Sequence, residues 1–366
     1  MAERKLYPNC DLKPFPSFTR PYICGVFSLD SQRDYHDGMS NLNYLKIPQK
    51  VNFNLNLGDD KYMEKSVSAD EEKLKHLLTF IMKNCDKVII NKRVNADFVC
   101  FRGLLKTIMC TPYEWHESWI ILASKFKETI YLFAVETEQK KNKRLAETKR
   151  DKMFQRYGHK FENYIFSNDP SQMPLGSEKP VIENEECCVM FSTKLAGRNS
   201  ILYGAEIDGI QSNKKITSLD QLRQFPLVEA KVKRRETNER QIDNFYKHKA
   251  RNFWCQSFLV GIDKIILGLR DDNGFVGEVT EMSLKKLSDE AKHRNYFHAT
   301  VCVNFLNDFL EKVKYDMRNI KDEPSIIFKY EWNTQIADYI ITHQINDSNY
   351  KFITQDFVDF MNKFTM

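Results

Sequence analysis

The segment from Tyr203 to Gly209, Y-G-A-E-I-D-G, places two carboxylates two residues apart at the end of an apolar run. In a β-strand, residues i and i+2 point to the same side of the sheet. Glu206 and Asp208 are therefore expected to project together from one face, beside a turn at Gly209. Because charges inside an apolar strand are costly unless they are paired or bind a metal ion, this pattern favours a sheet that ends at a polar site.

A second segment of the same kind, P-L-V-E-A-K-V, occupies residues 226–232 and places Glu229 and Lys231 on one face of a strand. For either segment alone, a solvated edge strand is the simpler interpretation, since alternating polar residues are ordinary there. Two such segments in succession favour a shared site. Acidic oxygens select hard cations such as Mg²⁺ or Mn²⁺, which activate water and neutralise charge on a phosphate. A lysine beside the metal can orient that water or stabilise the transition state.

Five short motifs follow one another along the chain. They are Phe101-Arg102-Gly103, Gly158-His159-Lys160-Phe161-Glu162, Glu206-Ile207-Asp208, Glu229-Ala230-Lys231 and Gln256-Ser257-Phe258-Leu259. An acidic residue followed after a gap by Glu-x-Lys resembles the PD-(D/E)xK nucleases. The complete series resembles, more narrowly, the DXO family of decapping exoribonucleases, with its arginine, G-Φ-x-Φ-E, E-x-D, E-Φ-K and Q-x-F-L motifs. The resemblance covers roughly residues 95–275 and is fainter outside them.

The resemblance implies a metal site built from four acidic side chains. Glu206, Asp208 and Glu229 are expected to bind metal, with the Ala230 carbonyl as a further ligand, and Glu162 is expected to hold a metal or its water. The four carboxylates together carry a charge of −4, which two divalent ions, Mg²⁺ or Mn²⁺, would balance. Without metal, mutual repulsion should raise some of these pKa values.

The same resemblance implies which residues act on the substrate. Glu162, Lys231 and Gln256 take the catalytic roles, with Lys231 and Gln256 positioning the attacking water. Arg102 is expected to clamp the RNA phosphates, and Glu206, Lys231 and Gln256 are expected to contact the substrate as well. Lys231 makes the metal-filled site mildly positive, which suits a phosphate.

Two positions depart from the family pattern. His159 occupies a place that the family usually gives to an apolar or aromatic residue, and a flat imidazole is expected to pack there with little effect. Ala230 is small for the Φ of E-Φ-K, but only its backbone carbonyl is needed. No acidic motif residue is missing, which argues against a catalytically silenced relative.

Composition supports a folded protein and leaves its partner open. Of the 366 residues, 42% are apolar, enough for a sizeable core, and the formal charge of +5 is mild for this length. Such a charge permits an anionic partner without requiring one. The nine cysteines include no C-x-x-C pair and are expected to be reduced thiols. There is no P-loop or G-x-S-x-G motif, and the eight histidines lack a zinc spacing.

Neither a signal peptide nor an apolar run of the ~18–20 residues needed to cross a membrane occurs in the sequence. We therefore expect a soluble protein of the cytosol or nucleus with no membrane partner. Of these two locations, we predict the nucleus, with the cytoplasm as a second location.

The pattern of apolar residues predicts a mixed α+β (α/β) protein, with one large domain, residues 1–366, built on a mixed central β-sheet flanked by helices. Residues 1–65, which contain scattered prolines, are predicted to be an irregular segment that packs on this domain. Ser68 and Glu71 form a capping box before an apolar stripe that predicts a helix. The other predictions are strands at 88–90, 97–101, 118–123, 130–135, 186–192, 199–208, 226–232, 257–269 and 326–330, and helices at 138–166, from about 288 through 313, and after 354.

Two basic stretches are candidates for RNA contacts. In the first, residues 140–152, interleaved acids favour a solvated helix face over an RNA track or a nuclear-localisation patch. The second, residues 231–251, either guides single-stranded RNA toward the metals or is an exposed loop. Its candidate side chains are Lys233, Arg234, Arg235 and Arg240.

By the resemblance, the chain is expected to hydrolyse the 5′ ends of RNA. The family removes incomplete or noncanonical caps, including NAD caps, as whole units and releases pyrophosphate from 5′-triphosphate RNA. Many members then degrade the resulting RNA in the 5′→3′ direction. The expected partners are single-stranded RNA 5′ ends, with a larger 5′→3′ exoribonuclease as a further candidate, and duplex DNA is not expected.

Two alternatives remain open. A metal-dependent DNA endonuclease that shares only the core motif should prefer duplex DNA and ignore the RNA 5′ end. A non-catalytic RNA-processing adaptor should bind RNA, or a larger exonuclease, and leave a labelled 5′ end intact.

Overall fold

Two large β-sheets and the helices packed on them make up the part of the chain that the computed structural model describes, residues 5–345 and 347–363. The strands are β1 (Tyr22–Leu29), β2 (Tyr35–Asp37), β3 (Tyr44–Leu45), β4 (Phe53–Asn54), β5 (Tyr62–Met63), β6 (Ile89–Ile90), β7 (Arg93–Val94), β8 (Phe98–Phe101), β9 (Trp119–Phe126), β10 (Thr129–Val135), β11 (Phe166–Ser167), β12 (Val181–Ile182), β13 (Glu186–Leu195), β14 (Asn199–Glu206), β15 (Gly209–Ile210), β16 (Leu227–Arg234), β17 (Lys264–Arg270), β18 (Phe275–Ser283), β19 (Ile327–Trp332) and β20 (Ile341–Ile345). The helices are α1 (Ala69–Glu72), α2 (Lys75–Lys83), α3 (Cys85–Val88), α4 (Arg102–Cys110), α5 (Glu138–Leu145), α6 (Lys149–Ile165), α7 (Leu219–Leu222), α8 (Glu239–Phe245), α9 (Arg251–Phe258), α10 (Leu284–His293), α11 (Ala299–Met317) and α12 (Gln355–Lys363).

The large sheet has nine strands and the second sheet has seven. Their orders are β2-β1-β13-β14-β8-β10-β9-β19-β20 and β11-β3-β15-β16-β17-β18-β4. Both sheets are mixed, since β8 runs parallel to β10 and β14, and β16 runs parallel to β17, whereas pairs such as β13–β14 and β17–β18 are antiparallel. The predicted mixed α+β class is confirmed. Sixteen of the strands named above lie in these two sheets, and the other four form the two-stranded sheets β12-β5 and β6-β7.

Alternation along β14 shows how the large sheet is buried on both faces. Ile201 and Tyr203 pack into a core with helices α4, α9 and α11, whereas Leu202 faces the opposite core with α2 and α12. A strand that is buried on both sides needs a near-continuous apolar run. The acidic side chain of Glu206 therefore comes only where β14 ends.

Helix α6 packs on the second sheet and fixes the position of Glu162. Tyr157, Phe161 and Ile165 recur every four residues and are buried, so they form one apolar face of the helix. This face shares a core with Ala230 of β16. Glu162 follows Phe161 directly in the sequence. The packing of α6 therefore places the Glu162 carboxylate close to the second sheet.

Two glycines permit close approaches near the same place. At Gly268 on β17, a Cβ would lie 2.6 Å from the ring of Phe161. At Gly209, a Cβ would lie 2.5 Å from the ring of Phe166 and 2.9 Å from the Asn43 carbonyl oxygen. Larger residues would therefore push α6 away from the second sheet, or block the turn from β14 into β15.

The acidic segment joins the two sheets. Strand β14 of the large sheet ends at Glu206, and the chain passes through Asp208 into β15, which pairs with β16 in the second sheet. Strand β16 carries Glu229 and Lys231. The two sequence segments with charged residues at alternate positions thus meet where one sheet gives way to the other.

Some element predictions are wrong. Residues 1–65 are not irregular throughout, because β1 to β5 lie there and β1 pairs with β13 in the large sheet. The scattered prolines conceal this strand, yet they flank β1 and none lies within it. Residues 257–263 are not part of a strand, since α9 continues to Phe258 and β17 begins at Lys264.

Two long predicted helices are each divided in the structure. The 138–166 region forms α5 and α6, because Thr148 and Asp151 make a capping box that starts a new helix. The helix predicted from about residue 288 forms α10 and α11, separated by a turn in which Asn295 has a positive φ of 59°.

Other expectations agree with the structure. The capping box of Ser68 and Glu71 is present at the start of α1. All nine cysteines are free thiols. In the described ranges, no helix combines the length and apolar character needed to cross a bilayer.

A buried arginine ties the N-terminal region to the large sheet. Arg33, whose side chain is 5% exposed, donates to both carboxylate oxygens of Glu72 at 2.6 Å and to Glu186 at 2.7 Å. The Nε2 atom of His76 lies 3.0 Å from Glu72. Burial opposes the charge on Glu72, but hydrogen bonds from His76 and Arg33 outweigh burial and lower the pKa of Glu72 to about 2.

We predict that Glu72→Gln destabilises the protein near neutral pH by about 3 kcal/mol, because the buried Arg33 then keeps only one of its two carboxylate partners. A carboxyl group whose pKa is lowered on folding stabilises the fold above its unfolded pKa of about 4.3, and this stabilisation is lost as the pH falls toward its folded pKa. The wild-type protein and Glu72→Gln should therefore differ less in their free energy of unfolding in acid. Urea unfolding of both proteins near pH 7 and at about pH 3 measures the difference between their free energies of unfolding. The exposed substitution Asp60→Asn is the control, and an equal loss at both pH values would contradict the prediction.

Candidate active site

The carboxylate of Glu229 lies at the centre of a buried polar network. Its side chain is 0% exposed. One oxygen accepts from Lys231 Nζ and from Gln256 Nε2 (2.6 Å), and the other accepts from Arg102 Nη1 (3.2 Å). Arg102 begins α4 directly after β8, whereas Lys231 is on β16 and Gln256 is on α9. Elements from both sheets thus converge on one side chain, and the predicted shared face of Glu229 and Lys231 is confirmed.

Charge compensation keeps Glu229 ionised. Burial opposes its charge, but the cations of Lys231 and Arg102 outweigh burial and lower the pKa of Glu229. Burial also opposes the charge of Lys231. The carboxylates of Glu229 and Asp208 outweigh this effect of burial and raise the pKa of Lys231. Each partner therefore depends on the other to stay charged.

Three further acidic residues of the sequence motifs are among those that line a small polar cavity of about 180 Å³. Glu162 comes from α6, Glu206 from the end of β14, and Asp208 from the connection between β14 and β15. Asp208 Oδ2 accepts the backbone N–H of Ala230 at 2.7 Å, which ties it to β16. We call Glu162, Glu206, Asp208 and Glu229 the acidic cluster, and this space the small cavity. Although β14 ends two residues earlier than predicted, Glu206 and Asp208 do line one space.

Loss of solvent and mutual repulsion raise two pKa values in the acidic cluster. Desolvation, followed by the charges of Glu186 and Glu162, raises the pKa of Glu206 to about 7. Desolvation and the charges of Glu229 and Glu162 raise the pKa of Asp208 well above its ordinary range. The metal-free cluster is therefore electrostatically unfavourable.

His159 brings a positive charge to the acidic cluster. Its Nδ1 lies 3.8 Å from a carboxylate oxygen of Glu162, and its Nε2 lies 3.9 Å from one of Glu183. The interaction with Glu162 raises the pKa of His159 to about 9, although burial acts in the opposite direction. The ring also meets Tyr62 edge-on, with centroids 6.4 Å apart. The expectation that this imidazole only packs is incomplete, since it is charged near neutral pH.

A larger cleft of about 840 Å³, here called the basic cleft, also adjoins the acidic cluster. Glu162 and His159 line both the cleft and the small cavity. The other side chains of the cleft are mainly basic and aromatic. They include Lys231, Lys233, Arg234, Lys249, Arg270, Phe154, Tyr157, Phe245 and Phe253.

The two basic stretches differ in their surroundings. In the first, Lys143 and Arg144 form ion pairs with acidic residues of neighbouring segments at 2.7 and 3.0 Å, as expected of a solvated helix face. In the second, Lys233 and Arg234 line the basic cleft, although each is also paired with an acidic neighbour. Arg240 is exposed. The second stretch is therefore the better candidate for contact with a nucleic acid.

The acidic cluster offers the oxygen ligands that hard divalent cations take. Across residues 5–345 and 347–363, no three acidic, histidine or cysteine side chains stand close enough together to hold a metal ion as they are. The oxygens of Glu229 are bonded to Lys231 and Arg102, among others. The all-oxygen donor set and the repulsion at Asp208 and Glu206 nevertheless fit a divalent cation, because its charge would remove that repulsion.

Several residues of the small cavity carry no signal in the sequence. Lys179, Glu183 and Glu185 line it, and they come from the short segments around β12, which have no periodicity and match no motif. His159 and Glu183 also line a third cavity, of about 810 Å³. Gln256 lies on a helix next to the region predicted as a strand, but its side chain reaches the acidic cluster.

A strand with Glu-x-Lys beside further carboxylates is the site type of the PD-(D/E)XK nucleases. The family model described as "RAI1 like PD-(D/E)XK nuclease" matches residues 19–358, and the chain belongs to this family. It is 30% identical to the human decapping and exoribonuclease protein over 357 residues, which are 95% of this chain and 87% of the relative. It is also 30% identical to the decapping and exoribonuclease protein Rai1 of Drosophila melanogaster over 353 residues, which are 92% of each chain.

Solved structures share the fold over nearly the whole chain. Candida albicans Rai1 in complex with pU5-Mn²⁺ has a TM-score of 0.83 and 18% sequence identity, and the match covers 100% of both chains. Scheffersomyces stipitis Rai1 in complex with (3′-NADP)⁺ and calcium ion has a TM-score of 0.82 and 19% identity, and the match covers 98% of this chain and 100% of that one. The predicted family and fold class are confirmed.

We predict that Asp208→Asn stabilises the metal-free protein, because it removes one of the repelling charges of the acidic cluster. The asparagine oxygen can still accept the Ala230 N–H. In EDTA near neutral pH, thermal unfolding should show Tm raised by about 2 °C, the order of shift that 1 kcal/mol produces in a large domain. Asp271→Asn is the matched control, since Asp271 is exposed and also accepts backbone N–H groups. An unchanged or lower Tm for Asp208→Asn would show that repulsion does not limit the stability of this site.

Proposed function

We propose that this chain is a metal-dependent hydrolase that acts on the 5′ ends of RNA. It removes incomplete or noncanonical caps, including NAD caps, releases pyrophosphate from 5′-triphosphate RNA, and degrades 5′-monophosphate RNA in the 5′→3′ direction. The observation that carries the proposal is the acidic cluster with Lys231 at the edge of a basic, aromatic cleft. Sequence relatives that are named decapping and exoribonuclease proteins support the reaction class.

The proposed cofactor is a pair of divalent ions, Mg²⁺ or Mn²⁺. Its ligands are Glu162, Glu206, Asp208 and Glu229, with the Ala230 carbonyl. Structures of two Rai1 proteins contain Mn²⁺ or calcium, which supports a divalent ion here. When bound, the metal supplies an activated water and neutralises charge on the phosphate.

Lys231, Gln256 and Arg102 are the proposed protein groups that act on the substrate. In the metal-free structure all three donate to Glu229, and a cation at Glu229 would compete with them for its oxygens. Lys231 and Gln256 are then able to donate to the attacking water and hold it in line with the phosphorus. Arg102 offers a planar, charged fork for the phosphate oxygens. Glu162 holds metal or its water.

The shapes of the cavities support single-stranded RNA as the substrate. The basic cleft, about 840 Å³, lies within the ~300–1,000 Å³ range of ligand pockets. Its cations can neutralise phosphates, and its aromatic side chains can stack on bases. The small cavity, about 180 Å³, lies below that range and suits a phosphate-sized group. The third cavity, which meets it at His159 and Glu183, leaves room for a bulkier 5′ group such as a cap.

Binding of a larger 5′→3′ exoribonuclease and location in the nucleus stay predictions from the family resemblance. A tight association with duplex DNA is not expected, because the narrow small cavity admits only the end of a chain.

The test is an assay on 5′-labelled RNAs with triphosphate, unmethylated cap, methylated cap, NAD or monophosphate ends. We expect the wild-type protein to release label with Mg²⁺ or Mn²⁺ and to lose this activity in EDTA. Glu206→Gln and Glu229→Gln should lower the rate at least about a hundredfold, the loss typical of removing a group that stabilises transition-state charge. Asp289→Asn, far along the chain on α10, should leave the rate unchanged.

The outcomes separate the alternatives. RNA binding without metal-dependent release from any of the five ends would favour an adaptor. Cleavage of duplex DNA with no dependence on the RNA 5′ end would favour an endonuclease. Activity that survives Glu229→Gln at the wild-type rate would overturn the site assignment while leaving the reaction class intact.

A further inference from the structure

Lys179 is held by its backbone at the wall of the small cavity. It follows the 3₁₀ turn Gly176–Glu178, and its N–H donates to the Gly176 carbonyl at 3.2 Å. Its own carbonyl accepts from Asn163 Nδ2 at 2.9 Å, and Asn163 belongs to α6, the helix that carries Glu162. The residue is half-buried. Its position relative to the acidic cluster is therefore fixed by the fold.

The Lys179 ammonium has no acceptor in the described part of the protein, since no hydrogen bond or ion pair joins its Nζ to another described residue. Lys179 lines the small cavity together with Glu185 and Glu162, whose negative charges act on its ammonium. Lys160, a buried lysine on α6, is by contrast paired with Asp59 at 2.9 Å. A half-buried ammonium without an acceptor gives up hydration that the protein does not replace.

An anionic group in the small cavity would supply the missing acceptor. The cavity is otherwise mostly acidic or neutral, so an anion there needs both the metal-filled acidic cluster and a further cation. The volume of about 180 Å³ lies below the ~300–1,000 Å³ range of ligand pockets and suits one or two phosphates. Of the products in the proposed reactions, inorganic pyrophosphate has this size and the highest charge.

We propose that Lys179 binds the pyrophosphate end of 5′-triphosphate RNA in the small cavity, and this rests on the proposed function. The RNA chain then lies in the basic cleft, and its α-phosphate lies at the acidic cluster between the two spaces. Lys179 is thereby a specificity residue for one of the 5′ ends and is not needed for cleavage of an internal phosphodiester.

Lys179 assists the hydrolysis of the bond between the α- and β-phosphates of the RNA 5′ end. The oxygen of water bonds to the α-phosphorus, and the bond from that phosphorus to the bridging oxygen of the β-phosphate breaks. The bridging oxygen and its electron pair leave with the pyrophosphate, and one proton of the water passes to the solvent. Lys179 donates hydrogen bonds to the departing phosphates and stabilises the charge that they gain.

The test compares pyrophosphate release from 5′-triphosphate RNA with degradation of 5′-monophosphate RNA of the same sequence. We expect Lys179→Met to lower kcat/KM for pyrophosphate release by about tenfold or more, the effect of losing a charged hydrogen bond, and to change monophosphate RNA degradation less than about twofold. Lys179→Arg, which keeps the charge, should recover most of the loss. Lys215→Met, on an exposed lysine outside the cavity linings, is the control and should change neither rate.

Two results would overturn the proposal in different ways. If wild-type protein cleaves neither RNA with metal present, the proposed function fails and the role of Lys179 fails with it. If wild-type protein cleaves both and Lys179→Met changes the two rates by the same factor, the role of Lys179 alone is wrong. Thermal unfolding of Lys179→Met shows whether an equal loss in both rates comes from misfolding of the variant.

Discussion

The buried carboxylate of Glu229 is the interaction on which the rest of the site depends. An ionised group with 0% exposure must be compensated, and its partners Lys231, Arg102 and Gln256 come from β16, α4 and α9. Strand β16 belongs to the second sheet, α4 starts directly after β8 of the large sheet, and α9 shares a core with α4. The need to pair one charge thus places a strand of the second sheet against the end of β8 and β14 in the large sheet. The basic cleft and the small cavity adjoin at His159 and Glu162. Asp208 lines the small cavity and is bonded to the backbone of β16.

The acidic cluster contains carboxylates of two kinds. Glu229 has its own cations, and its pKa is lowered, so it stays charged without metal. Lys231 acts on Asp208, and His159 and Arg102 act on Glu206. Desolvation and the neighbouring acids outweigh these cations, so the pKa values of both Asp208 and Glu206 are raised. Glu229 maintains the structure, whereas Asp208 and Glu206 repel their acidic neighbours in the small cavity, which adjoins the basic cleft and the third cavity at His159. A divalent ion that binds there removes the repulsion, which means that part of the binding free energy comes from strain already stored in the folded protein.

The periodicity and motifs of the sequence predict much of this site. They do not predict the parts that depend on contacts between distant segments of the chain. Alternation within an apolar strand places Glu229 and Lys231 on one face, and the same rule brings Asp208 to the cluster even though its strand ends early. The pattern around Gln256 mixes aromatic and polar residues, and the α9 contacts that decide in favour of a helix are tertiary. Lys179 lies in a short irregular segment, where neither periodicity nor a motif indicates its neighbours. Strand β1 is hidden for a similar reason, since its place in the large sheet depends on pairing with β13, more than a hundred residues away.

Thermal unfolding with and without Mn²⁺ tests the central claim most directly, because a ligand that binds only the folded state stabilises it by about 2.7 kcal/mol at a hundred times its Kd. The account predicts that Mn²⁺ raises the Tm of the wild-type protein and that most of this rise disappears in the double variant Glu206→Gln/Asp208→Asn, whose repelling charges have been removed. A monovalent salt of equal ionic strength should produce no comparable rise, since screening alone does not supply a ligand. An absent Mn²⁺ effect in the wild type, or an equal effect in the double variant, would contradict the claim that the acidic cluster is built to be relieved by a divalent ion.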